Sequence, residues 1–450
     1  MNDLQTRITE YVDSTVPPID IDLLVDQLTH DAAPPRRLRT AGAEGTWWRH
    51  RRWVPVLAGA VLVLLMIGGA ALLRGPSEAP VITTPEETAT STTSLPLGAA
   101  GPWVRAELQS QAGLGETVEA GSITAGSRGF VAAGNTWTRG DVWGRGQIWT
   151  STDGSSWTWV PDDDRTLFEE GYWPEGVADS KAGVIAWGAN NRQGGTVIWR
   201  SADFVDWSLV STGESPLDGE SATRGLALAS GRFLLYGAPA DCIVEQDICT
   251  PVSARRLLIS SDGLSWQVVT TPVTFTAIVQ TGSGDLLATQ RRASEPTTWI
   301  SYDDGASWER HGADHPVEAG TPSATVETIE LTPFGLVAAG VTAEKRPVLW
   351  ISDDGISFTE TLVLPSRANV ASVAYGPGWV VAVGSNGLDP AIWTSRDGRE
   401  WQSVSLAGTY LGDGYLSDIA YRDSLFVAAG QHRAEIGGEA LILRWNPDAG

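Results

Sequence analysis

The sequence predicts an all-β domain preceded by one transmembrane helix, and three observations support this prediction. The chain of 450 residues contains 50 Gly and 21 Trp but only 2 Met, which is typical of turn-rich β structure and unlike a helical bundle. One uncharged apolar stretch occupies residues 53–73. Downstream of it, two short sequence patterns recur with a period of about fifty residues.

The charge of the chain limits its partners. The formal net charge is −23, and almost all of the acidic excess lies downstream of Arg74. Such a chain is not expected to bind DNA or RNA through its charge, so we predict no nucleic-acid partner. With 42% hydrophobic and only 19% charged residues, the chain can build a sizeable core and is not a disordered acidic polymer.

Residues 53–73 predict a single membrane-spanning helix, because about 20 apolar residues cross about 30 Å of hydrocarbon. A cleaved signal peptide is disfavoured, since the leader of 52 residues is too long. Only Arg74 closely follows the span, whereas several arginines precede it: Arg36, Arg37, Arg39, Arg49, Arg51 and Arg52. The positive-inside rule therefore predicts a single-pass plasma-membrane protein with a cytoplasmic N-terminus and an extracytoplasmic C-terminal part.

The predicted order of domains follows from this span. Residues 1–52 form a cytoplasmic stub with short amphipathic helices, which either lie near the membrane or dock a cytoplasmic partner. Residues 53–73 contact the lipid bilayer. Residues 74–100 are rich in Thr, Ser and Pro and predict an extended stalk. Residues 101–450 carry all of the repeats.

Each repeat contains a buried strand, which ends in Gly in every repeat but the fourth. In the first six repeats a later strand leads into a tight turn that contains Asp and, except in the second repeat, Gly. The first pattern occurs as GFVAAG (129–134), GVIAWG (183–188), RFLLYG (232–237), DLLATQ (285–290), GLVAAG (335–340), WVVAVG (379–384) and LFVAAG (425–430). The second occurs as IWTSTDGSSW (148–157), IWRSADFVDW (198–207), LLISSDGLSW (257–266), TWISYDDGASW (298–308), LWISDDGISF (349–358) and IWTSRDGREW (392–401).

Four strands per repeat predict a β-propeller with seven blades, a six-bladed ring being possible. The last repeat lacks its final Trp strand, whereas an isolated segment of that kind, PWVRAEL (102–108), precedes the first repeat. We therefore expect the strand that starts at Trp103 to complete the last repeat and close the ring. Phe204 stands where the other turns have Gly, so that turn is expected to differ.

The repeats resemble the Asp-box (BNR) family of the sialidase-like superfamily. Ser301, Asp303, Gly305, Ser307 and Trp308 follow the family pattern S-x-D-x-G-x-T-W, with Ser in place of Thr, and the other repeats are one residue shorter. The family includes sialidases, other glycosidases, sortilin-type receptors and photosystem assembly factors. The resemblance implies a structural role in the turn for one aspartate per box: Asp153, Asp203, Asp262, Asp303, Asp354 and Asp397.

The same resemblance raises the hypothesis that the protein is a sialidase-like enzyme. Sialidases use three arginines, a Tyr-Glu nucleophile pair and an Asp acid/base, and an Arg-Ile-Pro motif usually supplies the first arginine. No such tripeptide occurs in this sequence. If the protein is an enzyme, it is predicted to be a sialidase-like exo-glycosidase, with Glu175, Glu327 and Asp141 as candidate catalytic carboxylates.

Cysteine and histidine offer little further chemistry. Cys242 and Cys249 lie in one loop, and a local disulfide is predicted there. His311 and His315 fall in a polar loop without a ligand motif. We predict no metal and no cofactor.

In a propeller, the loops between second and third strands and between blades share one face with the mouth of the channel. Arginines and aromatic residues of these loops suit an anionic or carbohydrate ligand. The candidate ligand-binding residues are Trp137, Arg139, Trp143, Arg145, Tyr172, Trp173, Arg192, Arg224, Arg291, Arg292, Arg346 and Arg433.

The sequence thus predicts a membrane-anchored, non-catalytic binding or scaffold module for an envelope glycan or an extracytoplasmic protein. Two alternatives stay open at this point. One is a sialidase-like glycoside hydrolase, and the other is a transmembrane sensor that signals through the N-terminal stub.

Overall fold

The computed structural model describes part of the chain downstream of residue 102. The described residues are 103–109, 116–138, 144–162, 167–190, 196–210, 224–237, 242–245, 248–251, 256–290, 298–311, 325–342, 344–406, 412–433 and 437–448. The stub, the span at 53–73 and the stalk predicted above lie outside them. Within the described residues, no helix is long and apolar enough to cross a membrane.

The regular structure of these residues consists of β-strands. The chain begins with β1 (Val104–Arg105), β2 (Glu107–Leu108), β3 (Glu116–Gly126), β4 (Gly129–Thr138), β5 (Arg145–Ser151) and β6 (Ser156–Trp159). A four-stranded sheet follows, made of β7 (Tyr172–Ser180), β8 (Gly183–Asn190), β9 (Thr196–Ser201) and β10 (Trp207–Val210).

The next sheet carries an inserted hairpin. Its strands are β11 (Arg224–Ala227), β12 (Phe233–Tyr236), β15 (Arg256–Ser260) and β16 (Gln267–Thr270), and the separate hairpin between them is β13 (Cys242–Glu245) and β14 (Ile248–Pro251). A further four-stranded sheet contains β17 (Phe275–Gln280), β18 (Leu286–Gln290), β19 (Thr298–Ser301) and β20 (Glu309–Arg310).

Two more four-stranded sheets precede the last three strands. They are β21 (Thr325–Thr332), β22 (Gly335–Val341), β23 (Pro347–Ser352) and β24 (Thr359–Val363), then β25 (Ala368–Gly376), β26 (Trp379–Asn386), β27 (Asp389–Ser395) and β28 (Trp401–Ser403). The final strands are β29 (Gly414–Arg422), β30 (Leu425–Arg433) and β31 (Gly438–Trp445).

The described part of the chain is therefore a β-propeller with five separate four-stranded blades. The predicted seven-bladed ring and its six-bladed alternative are wrong. The first and last repeats do not form blades of their own. Thr117 in β3 and Gly438 in β31 pair in parallel, and this contact joins both repeats into one nine-stranded sheet.

The N-terminal segment ties this nine-stranded sheet together. β1 pairs antiparallel with β31, whereas β2 pairs in parallel with β6 at the other edge. Trp103 is 2% exposed and packs on Trp445, with ring centroids 5.7 Å apart. The expected closure of the last repeat by the segment at Trp103 is thus seen, although the same segment also extends the first repeat.

A β-bulge recurs near the start of the inner strands, which are the first strands of the repeats. The bulged residues are Gly121, Glu175, Thr276, Glu327, Ala371 and Ser417. The bulge presses the inner-strand backbone against the second strand of the repeat. This explains the small residue that ends the first sequence pattern. A Cβ at Gly384, for example, would collide with the carbonyl oxygen of Asn369.

The Ser–Asp turns, which join the third and fourth strands of a repeat, share one hydrogen-bond pattern. In the turn that begins at Ser395, the Ser395 Oγ accepts from Gly398 N at 2.9 Å. Asp397 Oδ1 accepts from Arg399 N at 2.8 Å and from Glu400 N at 2.9 Å. Each aspartate bonds within its own turn, so the series does not converge on a shared site.

The turn at Phe204 does not differ in the expected way. Phe204 N donates to Ser201 Oγ at 2.9 Å, as the glycine does elsewhere, and Asp203 Oδ1 accepts from Val205 N at 3.0 Å. Phe204 adopts φ 72, a conformation that favours glycine. Its ring is 6% exposed and lies in the core with Trp199 and Trp207, and this burial offsets the backbone strain.

Candidate functional site

The described residues that could bind a ligand lie at the start of the inner strands. We define the mouth as Glu119 on β3, Trp137 at the end of β4, Trp173 and Glu175 on β7, and Tyr415 on β29. The inner strands β29, β3 and β7 are consecutive neighbours in contact. All five side chains are half-buried, as expected for groups that line a recess.

Trp137 and Trp173 provide the aromatic part of the mouth. Their rings are stacked, with centroids 6.3 Å apart and an interplanar angle of 21°. Gly144 approaches this pair closely, because an added Cβ would lie 3.2 Å from Trp173 Nε1 and 3.3 Å from the Cβ of Trp137. Since the two indoles come from adjacent sheets, the packing of those sheets holds their relative position.

Glu175 is the bulged residue of β7 and lies two residues after Trp173. Its Oε2 atom is buried and has no hydrogen-bond partner among the described residues. Burial raises the pKa of Glu175 to about 7. A buried polar atom without a partner costs about 1–3 kcal/mol, so a ligand group that donates to Oε2 would recover this energy.

Glu119 and Tyr415 meet across the boundary between β3 and β29. Burial raises the pKa of Glu119, and the hydrogen bond with the Tyr415 side chain lowers it in part. Burial raises the pKa of Tyr415, and the adjacent Glu119 carboxylate raises it further. The phenol therefore keeps its proton at neutral pH and acts as a hydrogen-bond donor to the carboxylate.

The other candidate residues that the structure describes lie in different parts of the propeller. Tyr172 packs edge-on against buried Trp199 at 6.4 Å and contributes to the core. Arg224 starts β11 opposite Tyr236, and Glu327 is the bulged residue of β21. Of the candidate ligand-binding arginines, three are exposed: Arg145, Arg346 and Arg433.

Several candidates lie outside the described residues, namely Arg139, Asp141, Trp143, Arg192, Arg291 and Arg292. For Cys242 and Cys249 only the backbone is described: Cys242 pairs with Pro251 and Cys249 with Val244. Their disulfide stays a prediction. Among the residues that the structure describes, no three His, Cys, Asp or Glu side chains are grouped as metal ligands.

Three carboxyl groups on inner strands, each with a pKa that burial raises, were not found from the sequence: Glu119, Glu330 and Asp418. A signal for Glu119 exists in retrospect. Glu119, Trp173 and Tyr415 all stand two residues before a bulge, so an alignment of the repeats two residues upstream of the bulge would have grouped them. Asp418 and Glu330 differ in the number of hydrogen bonds that their carboxyl groups receive.

Asp418 is bonded by four donors from three inner strands. Its Oδ1 accepts from Ser372 Oγ at 2.8 Å and from Ile419 N at 2.9 Å. Its Oδ2 accepts from Ser122 Oγ and Ile123 N, both at 2.9 Å. From the described residues, Glu330 receives one long hydrogen bond, from Tyr375 N at 3.4 Å. Burial raises the pKa of Glu330 to about 7.

The raised pKa of Glu330 predicts a pH effect on stability. Between about pH 4.5 and 7 the native state retains a proton that the unfolded chain has lost, so stability falls as pH rises through this range. We expect Glu330→Gln to stabilise the protein at pH 8 by about 3 kcal/mol more than at pH 4. Denaturant titrations at both pH values measure this difference.

The control for this prediction is Glu309→Gln, which removes a charge from an exposed position on β20. It should change stability little at either pH. An equal gain for Glu330→Gln at pH 4 and pH 8 would contradict the prediction, because the gain would then not come from the desolvated charge.

Comparison with known proteins identifies no family for this chain. No protein-family model and no curated protein matches this sequence. Among solved structures, the chain is similar to YCF48 bound to D1 peptide, with 16% identity, a TM-score of 0.49, and coverage of 78% of this chain and 97% of that chain. It is also similar to YCF48 from Cyanidioschyzon merolae, with 14% identity, a TM-score of 0.47, and coverage of 77% and 100%.

A third similar structure is Trypanosoma rangeli sialidase in complex with the inhibitor DANA, with 11% identity and a TM-score of 0.37. The match covers 77% of this chain and 58% of the sialidase chain. These proteins differ in their activities, so the likeness does not identify what the present chain binds.

Proposed function

We propose that this β-propeller is a non-catalytic binding module that holds a glycan at its mouth. The observation that carries the proposal is the stacked pair of Trp137 and Trp173 together with Glu175, which follows two residues after Trp173 and whose buried Oε2 atom is bonded by none of the described residues. An apolar flat surface next to a few polar groups is the usual composition of a ligand site.

A sugar ring matches these groups. Its C–H face packs on an indole, where the electron-rich ring surface attracts the partly positive hydrogens. One of its hydroxyls donates to Glu175 Oε2 and satisfies that atom. The hydrogen bond between Glu119 and Tyr415 adds a second polar edge to the mouth. A protein ligand is the other occupant that the sequence predicted, and it would need an aromatic or apolar side chain at the same indoles.

A sialidase-like glycoside hydrolase is the second candidate, and the pairing of Tyr415 with Glu119 is the observation that favours it. A tyrosine nucleophile is activated by an adjacent general base or by a lowered pKa. Burial and the Glu119 carboxylate raise the pKa of Tyr415, so Glu119 would have to act as the general base. We place binding ahead of hydrolysis because the sequence lacks the Arg-Ile-Pro motif that usually supplies a substrate-binding arginine in sialidases.

The test uses the full chain and immobilised neutral and acidic oligosaccharides, including sialyllactose. We expect retention on at least one of them, with affinity lowered about tenfold or more by Trp173→Ala and by Glu175→Gln, since each removes about 1–3 kcal/mol of contact energy. Tyr302→Ala and Glu309→Gln are the controls, because both side chains are exposed outside the mouth. They should leave retention unchanged.

Three outcomes would replace this proposal. Released sugar that disappears in Tyr415→Phe and Glu119→Gln would establish the hydrolase. Retention that Trp173→Ala and Glu175→Gln leave intact would move the site away from the mouth. No retention of any glycan would point to a protein ligand.

We also infer that the six Ser–Asp turns are Asp boxes in the family sense. The serine and aspartate hydrogen bonds of the turns support this. In four of the six turns the box tryptophan also donates to the turn, as in Trp401 Nε1 to Gly398 O at 3.1 Å and Trp157 Nε1 to Gly154 O at 3.2 Å. The inference concerns the architecture of the turns and assigns no activity.

A further inference from the structure

Three exposed apolar side chains lie on the Ser–Asp turns of three consecutive blades. Val205 is 70% exposed, Leu264 is 53% exposed and Tyr302 is 65% exposed. We call these three the apolar turn tips. Among the described residues only three other large apolar side chains are comparably exposed, namely Val104, Val363 and Leu388. Half of the exposed large apolar side chains therefore lie in one kind of turn.

The apolar turn tips are not a general property of these turns. Val205 and Leu264 directly follow the residue with positive φ, and in the first and last Ser–Asp turns this position holds Ser155 and Arg399. Ile356 holds it in the turn after that of Tyr302 and is half-buried. The exposed apolar residues thus occupy three consecutive turns, with the polar Ser155 in the turn before them and the half-buried Ile356 in the turn after them.

Each of these turns is bonded to an arginine of the preceding repeat. Arg128 Nη1 donates to Asp203 O at 3.3 Å, and Arg200 Nε donates to Asp262 O at 2.8 Å. Arg232 pairs with Asp304 at 3.7 Å. Because each turn is also fixed by its own serine and aspartate, the tips are presented by a preorganised backbone. Binding would cost little ordering of the chain.

Aspartates flank the apolar turn tips. The three turns contain no Lys or Arg, but they contain Asp203, Asp206, Asp262, Asp303 and Asp304. Backbone N–H groups of Ser265 and Leu264 lower the pKa of Asp262, so this carboxylate is charged at neutral pH. The arginines that reach the turns already donate to backbone carbonyls or to Asp304.

We propose that the apolar turn tips form a docking surface for a basic amphipathic segment of a partner protein. Its apolar side chains cover Val205, Leu264 and Tyr302, and its Lys or Arg side chains pair with the flanking aspartates. Charge complementarity argues for this occupant. A second copy of this chain would bring like charges together, since its net charge is −23, and an anionic lipid surface would be repelled in the same way.

The proposal is independent of the mouth, and its test uses a defined probe. The probe is a fluorescent 14-residue peptide of Leu and Lys in which Leu recurs at helical i, i+3 and i+4 spacing. A scrambled peptide of the same composition has no apolar stripe. Binding to the full chain is followed by fluorescence anisotropy at about 0.15 M salt, where long-range attraction between exposed charges is screened.

We expect the amphipathic peptide to bind more tightly than the scrambled one. The triple variant Val205→Ser, Leu264→Ser and Tyr302→Ser should weaken its binding about tenfold or more, since interface anchors each contribute substantially to affinity. The matched control is Val363→Ser with Leu388→Ser, which removes exposed apolar side chains outside the turns and should not change binding. If the triple variant is less stable, Leu264→Ser alone replaces it.

Unchanged affinity in the triple variant would overturn the proposal. So would equal binding of the two peptides, which would reduce the effect to net charge, or no binding of either peptide. Self-association of the wild-type chain that the triple variant abolishes would identify a second copy as the occupant and would also overturn it.

Discussion

Replacing Gly384 by alanine should lower the free energy of unfolding by about 3 kcal/mol or more. The added Cβ would overlap the carbonyl group of Asn369 and the Cα of Val370, which are all backbone atoms. β26 pairs with β25 on one side and with β27 on the other, so Gly384 cannot move away without disrupting a ladder. When neighbouring side chains can shift to make room, an added group lowers stability by about 1–3 kcal/mol. A collision with backbone atoms should lower stability by an amount at or above the upper end of this range.

Gly282→Ala is the matched control for this substitution. Gly282 lies between β17 and β18, and a Cβ added there would meet no atom within 4 Å. Its loss should change stability by about 0.5 kcal/mol or less. Guanidinium unfolding followed by tryptophan fluorescence measures both variants. Similar stabilities for the two would show that the bulge does not hold the strands as closely as described.

The same collision recurs in four other repeats, at Gly134, Gly188, Gly340 and Gly430. This recurrence shows what the sequence could and could not predict. The repeated glycine was visible as a pattern near the end of the buried segment in six of the seven repeats, and Gln290 takes its place in the fourth. Its cause was not visible, because the atom that excludes a side chain belongs to a bulge on the neighbouring strand.

The predicted number of blades was wrong for a related reason. Local patterns identify the strands of a repeat well, since alternation and turn residues are local properties. Whether two repeats form separate sheets depends on pairing between distant segments. Here one parallel pair, Thr117 with Gly438, and the double role of β1 and β2 join the first and last repeats. Nothing in the local sequence marks that pairing.

Part of the mouth could be predicted in the same manner. Glu175 was named from the sequence as a candidate carboxylate because it follows the repeat register, and Trp137 and Trp173 were named because they are aromatic residues near the loops of the mouth. Glu119 and Asp418 were missed because their importance comes from burial by adjacent repeats. Phe204 shows the converse limit, since tertiary burial of its ring permits a conformation that its residue type disfavours.

Asp418→Asn is the second substitution with a large expected effect, a loss of about 3 kcal/mol of stability. Two of the four donors to Asp418 are backbone N–H groups, Ile419 N on Oδ1 and Ile123 N on Oδ2. A serine hydroxyl can turn to accept a hydrogen bond, but a backbone N–H cannot. Whichever way the asparagine is oriented, its NH₂ group faces one of these N–H groups, and that donor stays buried without an acceptor.

The bonds to Asp418 connect β29 with β3 through Ile123 and with β25 through Ser372, so their loss weakens the contact of the nine-stranded sheet with the blade before it. Asp389→Asn, at an exposed position on β27, is the control and should have little effect. Ser372→Ala removes one donor and keeps the carboxylate, so it should cost only about 1 kcal/mol. Thermal and denaturant unfolding of the three variants test this order. A loss for Asp418→Asn no larger than that for Asp389→Asn would contradict the role of the fixed N–H donors.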